Sequence, residues 1–146
     1  MEPFVRNFIR SSLLWLGGGV LLGVWMAVSP QAILYRPAHV HANLLGFVSM
    51  MIFGVAYHVI PRFTGSPLRS RRVAVLHLWV ANVGLVGLVG GWLLRPSMWE
   101  AGTAAVMTGG VVSATGSFLF IGNLWLTLGP VRRAARPGVL HSGPAA

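Results

Sequence analysis

Four long stretches of this chain carry almost no charge: about residues 11–29, 38–60, 73–94 and 101–128. Each reaches the ~20 apolar residues a helix needs to cross the hydrocarbon core of a bilayer. Only 9% of the 146 residues are charged and 55% are hydrophobic, against roughly a quarter charged in soluble domains. The stretches lack the alternation of lipid-facing strands, which argues against a barrel. The expected fold is an all-α membrane protein, a four-transmembrane-helix bundle forming one domain over about 1–130. Residues 131–146 then read as a basic, Gly/Pro-containing cytoplasmic tail, with His141 solvated. Arg6 and Arg10 precede the first stretch, as they would in a signal peptide. Its apolar run continues to about Val28, longer than the ~7–15 residues of a signal core, so it reads as a retained helix.

The basic residues orient the bundle. All eleven are arginine. Arg6, Arg10, Arg62, Arg69, Arg71, Arg72, Arg132, Arg133 and Arg136 flank one side, while Arg36 and Arg95 alone flank the other. Cytoplasmic loops carry the excess of basic residues, so both termini are expected in the cytoplasm of a prokaryotic inner membrane. The net charge of +9 therefore reads as topology and contact with anionic membrane lipid, not as a nucleic-acid site.

Residue usage limits the chemistry. The chain has no cysteine, which removes disulfides, thiolate ligands, iron–sulfur clusters and covalent c-type haem attachment. Its only acids, Glu2 and Glu100, leave no carboxylate relay through the bilayer.

Helix 2 is expected to begin at Pro37, a favoured first helical residue, and to end near Pro61. The polar segment "RFTGSPLRSRR" reads as a turn. Ala101, Ala105, Gly109, Ser113 and Ser117 recur every four residues. Gly19/Gly23 and Gly87/Gly91 add two small-xxx-small pairs. Such stripes allow close helix approach, either inside one bundle or between subunits.

The histidines sort by depth. His39 and His41 lie in the first turns of helix 2, near the outer face. His58 follows His41 by 17 residues, roughly 25 Å along a helix, so one metal cannot bridge them. His77 lies one turn into helix 3 and shares the inner level with His58. His39 and His41 are about 200° apart around the helix, so they cannot chelate one ion and each serves a different flank. Burial of an imidazole demands a partner, either a hydrogen bond to another helix or a ligand.

The segment "HVHANLLGFVSMMIFGVAYHVIPR" resembles helix ten of the catalytic subunit (subunit I) of haem–copper oxidases, especially the C-type cbb class. Nitric oxide reductases belong to the same superfamily. The likeness lies in His39-x-His41, Leu45-Gly46, Phe53-Gly54, Tyr57-His58 and Pro61-Arg62. The next segment, "LHLWVANVGLV" with His77 and Trp79, is similar to the helix that follows there. Together the two cover about residues 38–88. Helices 1 and 4 match only as hydrophobic spans, so the chain resembles helices nine to twelve of that fold.

The resemblance implies that His41 is an axial ligand of a low-spin haem b and His39 the proximal ligand of a high-spin haem. It gives His58 and His77 no ligand role; hydrogen bonding or capping at the inner surface is expected of them. The copper-site histidines, the tyrosine tied to that site and the second low-spin ligand have no counterpart here, which implies that the chain alone is not a complete oxidase. The family fold is three arcs of four helices in pseudo-threefold arrangement, and this chain is one arc long. The resemblance thus implies a homo-oligomer, a trimer first and a dimer second, that rebuilds a twelve-helix ring. Met26, near the depth of His41, is a candidate second ligand in cis.

The functional expectation is a b-type haem protein that binds a diatomic gas (NO or O2) or passes electrons. Beside it stand a haem-free accessory subunit of a respiratory oxidase or nitric oxide reductase complex, and a conduit for gas or a small solute.

Overall fold

The computed structural model describes residues 1–129; the tail and His141 lie outside them. Four helices follow one another: α1 Pro3–Val28, α2 Pro30–Thr64, α3 Arg71–Leu94 and α4 Trp99–Thr127. Each is long and apolar enough to span a membrane, and no strand occurs among the described residues. The chain is an all-α, multi-pass membrane protein.

The helices overrun the charge-free stretches, because a helix keeps its backbone bonds as it leaves the hydrocarbon. α2 departs most from expectation. It opens at Pro30 with a 3-10 turn over Pro30–Tyr35, and its α-helical part begins at Arg36, with Pro37 in the first turn as expected. Pro61 does not end it. The helix runs on to Thr64 and stops at Gly65, whose φ of 64° is a left-handed cap that glycine adopts without strain.

α3 is the central element. In its most apolar window 44% of the residues are buried, against 11–22% in the other helices. Small residues bring α4 against it: a methyl at Gly91 would lie 2.6 Å from Val106 N, and one at Gly109 would run into Leu88 N. Gly84 meets Ser113 in the same way. The stripe through Ala105, Gly109 and Ser113 is therefore used inside the chain, which decides between the two packings left open by the sequence. Gly87/Gly91 belong to this seam, and Gly19/Gly23 meet Asn43 and His39 of α2. Leu14, Leu21, Val111, Phe118 and Trp125 point outward and are mostly exposed, which suits a bilayer as solvent.

Side chains lock one end of the bundle. Asn123 of α4 accepts the Ser70 N–H at 3.0 Å and donates to the Ser70 carbonyl at 2.9 Å. Thr127 Oγ1 accepts the Arg69 N–H at 3.0 Å. Ser70 Oγ caps α3 by accepting the Val73 N–H at 3.2 Å, satisfying a first-turn donor. Arg71 and Glu2 form an ion pair at 2.9 Å. Arg6, Arg62, Arg69, Arg71 and Arg72 thus gather at this end, and Arg36 and Arg95 at the other.

Candidate functional site

The His39-x-His41 turn closes the first α-helical part of α2, a π-helical segment, Ala42–Ser49, follows immediately, and α-helix resumes at Met50. Such wide turns recur at functional sites. Here the segment is braced from α1: the Trp15 ring lies over Gly46, where a methyl would come within 2.6 Å of it. Trp15 Nε1 in turn donates to Asn82 Oδ1 of α3 at 3.3 Å.

The two imidazoles point to different neighbours. His39 faces α1, its Nδ1 2.8 Å from the Gly19 carbonyl oxygen. Gly23 makes room for the ring, since a methyl there would sit 3.0 Å from His39 Cε1. Asn43 Nδ2 donates to the His39 carbonyl at 2.9 Å. His41 faces α3. Its Nδ1 lies 2.7 Å from the Pro37 carbonyl, and its ring is nearly parallel to Trp92, centroids 6.3 Å apart.

Chemistry assigns the tautomers. A carbonyl oxygen only accepts, so each Nδ1 carries a proton and donates it. In the neutral rings the lone pair is then on Nε2. A histidine whose Nδ1–H is held by a backbone carbonyl, with Nε2 free, is the usual arrangement of an imidazole ligand. Both rings are half-buried. Among the described residues no cluster of three or more His, Cys, Asp or Glu side chains forms, so any metal here depends on a prosthetic group or a neighbouring chain for its other ligands.

Met26 follows Gly19 by seven residues and Gly23 by three, so helical spacing sets it on the α1 face that meets His39, not on the flank of His41. Beside His41, Trp92 also borders a cavity of about 560 Å³ lined by Leu34, Trp92, Arg95, Pro96 and Trp99. The Arg95 guanidinium stacks between Trp92 (4.8 Å) and Trp99 (4.0 Å). Trp92 Nε1 and Arg95 Nε are buried without a partner among the described residues. Sequence reasoning passed over this group. A lone arginine bracketed by tryptophans at a helix end was its signal, absorbed there by the count of flanking charges.

At the opposite end His77 is fully buried. The Tyr57 hydroxyl lies 3.1 Å from its Nδ1, and Phe8, Phe53 and Phe120 surround it at centroid distances of 4.9, 4.7 and 5.7 Å. Hydrogen bonding was expected of His77, but its place is the core where all four helices meet, not a surface cap. His58 turns outward and accepts from Arg62 at 3.0 Å.

No family model and no solved structure matches the chain. Among curated proteins, the cbb3-type cytochrome c oxidase subunit CcoN1 of Stutzerimonas stutzeri is 32% identical over 109 residues, covering 70% of this chain and 22% of that protein. A cytochrome c oxidase subunit 1 of Rhodobacter capsulatus is 37% identical over 65 residues, covering 44% of this chain and 11% of its own length. A cytochrome c oxidase subunit 1 homolog of Agrobacterium tumefaciens is 27% identical over 107 residues, covering 69% and 19%. The chain thus spans about a fifth or less of the length of these relatives. The chain is a partial relative of haem–copper oxidase subunit I.

Proposed function

We propose that the chain is a b-type haem protein of a bacterial inner membrane, in which His41 would hold the iron on one flank of α2 and His39 would hold iron on the opposite flank. The observation that carries this reading is the pair of imidazoles whose Nδ1 atoms are both engaged by backbone carbonyls, which leaves two Nε2 lone pairs on opposite sides of one helix. A bound haem supplies a redox-active iron that takes a diatomic gas, NO or O2, or passes an electron. The rest is the work of this chain. Pro37 and Gly19 fix the ring planes, Trp92 backs the His41 ring, and Arg95, held over Trp92 and Trp99, brings a cation toward the carboxylate edge of such a group. Met26 is a candidate partner on the His39 flank.

His39 and His41 diverge, so a haem with two histidine ligands needs the second from another chain. We therefore propose a homo-oligomer, trimer first and dimer second, or assembly with a respiratory oxidase or nitric oxide reductase complex. The α4 stripe no longer supports that interface, since α3 covers it. A haem-free accessory subunit of such a complex is the alternative reading.

Protein expressed with added haem is expected to show a Soret band and b-type reduced bands. His41→Ala should remove or strongly shift them. His58→Ala is the control, because His58 pairs with Arg62 at the far end, whereas His77 is a core residue. A colourless, folded preparation overturns the haem reading in favour of the accessory subunit.

A further inference from the structure

Buried residues recur along α2 at every fourth position: Ala38, Ala42, Gly46, Met50 and Gly54. Exposed apolar residues keep the same interval at Val40, Leu44, Val48 and Ile52. A regular α-helix drifts by about 40° over four residues, so the buried row would turn by about 160° from its first member to its last. The row stays inside because the π-helical segment Ala42–Ser49 takes more residues per turn. That segment therefore sets the rotation of His39 and His41 relative to the inner half of their own helix. The inner half is fixed, with the Tyr57 hydroxyl 3.1 Å from His77 Nδ1 and Phe53 against the His77 ring.

π turns are rare, and this one is held by its neighbours. Three residues of α1 meet three of α2 in register: Gly23 meets His39, Gly19 meets Asn43, and Trp15 meets Gly46. Each contact sets a bare glycine against a large side chain. Side chains also take up carbonyls along the wide turn. Asn43 Nδ2 donates to the His39 carbonyl at 2.9 Å, and Ser49 Oγ donates to the Leu44 carbonyl at 2.9 Å. Asn82 of α3 completes the support. Its Nδ2 donates to the Leu78 carbonyl at 2.8 Å, which turns Oδ1 toward Trp15 Nε1, the donor 3.3 Å away. An amide inside a spanning helix is costly without a partner, and here the indole is that partner.

We infer that Trp15 and Asn82 are positioning residues for the histidine pair. The indole, held by the Asn82 amide and seated on Gly46, keeps Ala42–Ser49 in its π form and so sets the directions in which His39 and His41 present Nε2. The inference rests on the haem reading only for what those nitrogens hold.

The test is double electron–electron resonance on the full chain, diluted into unlabelled protein so that only distances within one chain are read. The chain has no cysteine, so cysteines introduced at Val40 and at either Leu21 or Met107, all exposed, carry the only spin labels. Gly46→Ala drives a methyl into the Trp15 ring, and Asn82→Leu removes the acceptor. Both should move the Val40 label by several ångströms against at least one reference, since a one-residue change of register turns a helix by about 100°. In haem-loaded protein the same variants should shift the Soret band. Leu124→Ala, a core truncation on α4, should lower the melting temperature and leave the distances unmoved. Unmoved distances in the folded Gly46→Ala or Asn82→Leu protein overturn the proposal, as does an equal shift in Leu124→Ala. A colourless parent whose variants still move the label overturns the haem reading alone and supports the positioning role.

Discussion

His39 Nδ1 sits 2.8 Å from the carbonyl oxygen of Gly19, so α1 holds the first histidine of the pair by its backbone alone. This contact needs bare glycine surface. A methyl at Gly23 would already lie 3.0 Å from the ring. Gly23→Val is therefore expected to push the imidazole off its carbonyl, at a cost of about 1–3 kcal/mol for overpacking. A thermal melt in detergent reads the stability. The optical spectrum of the haem-loaded protein reads the ligand, and an unchanged melt together with an unchanged spectrum would sink the proposed role of this contact.

Gly109 tests where the small-residue seam is used. Its missing side chain lies against Leu88 N and the Gly87 carbonyl carbon, so Gly109→Leu should separate α3 from α4 within one chain. The expected result is a large loss of folded protein, with the surviving fraction keeping the subunit number of the parent on native mass spectrometry. A well-folded variant of reduced subunit number would instead locate the seam between chains.

Asn123 is expected to matter out of proportion to its size. It satisfies both the N–H and the C=O of Ser70 at the head of α3. Asn123→Ala leaves the Ser70 N–H unpaired, while the Ser70 carbonyl keeps the Ala74 N–H at 3.3 Å, and an unsatisfied buried polar group costs about 1–3 kcal/mol. A lowered melting temperature checks this. Asn123→Asp, which keeps only the acceptor, should fall between the two.

Topology follows from the arginines. Reporter fusions after Arg72 should report cytoplasm and fusions after Arg95 the exterior. The reverse result would place the arginine-rich end on the outer side and the histidine pair on the inner side.

Charge-free run length alone determined the four spanning helices and their class, because a bilayer accepts no unpaired backbone. The divergence of His39 and His41 was equally legible, since two residues of an α-helix turn a ring to the far side whatever surrounds it. Pro37 stands in the first turn of the α-helix, as local rules expect, with a 3-10 turn before it, whereas Pro61 does not mark the end of the helix. A proline removes a donor but does not end a helix whose neighbours hold it, and Gly65 supplied the actual stop. Only the tertiary structure decided which nitrogen of each imidazole is engaged, because that depends on the Gly19 carbonyl, twenty residues from His39, and on the geometry of the Pro37 turn. It also moved His77 from an expected surface cap to an aromatic core, and turned the Gly109 stripe inward against α3. Helical spacing defines a stripe of small residues, but which partner covers the stripe is set by how the helices assemble.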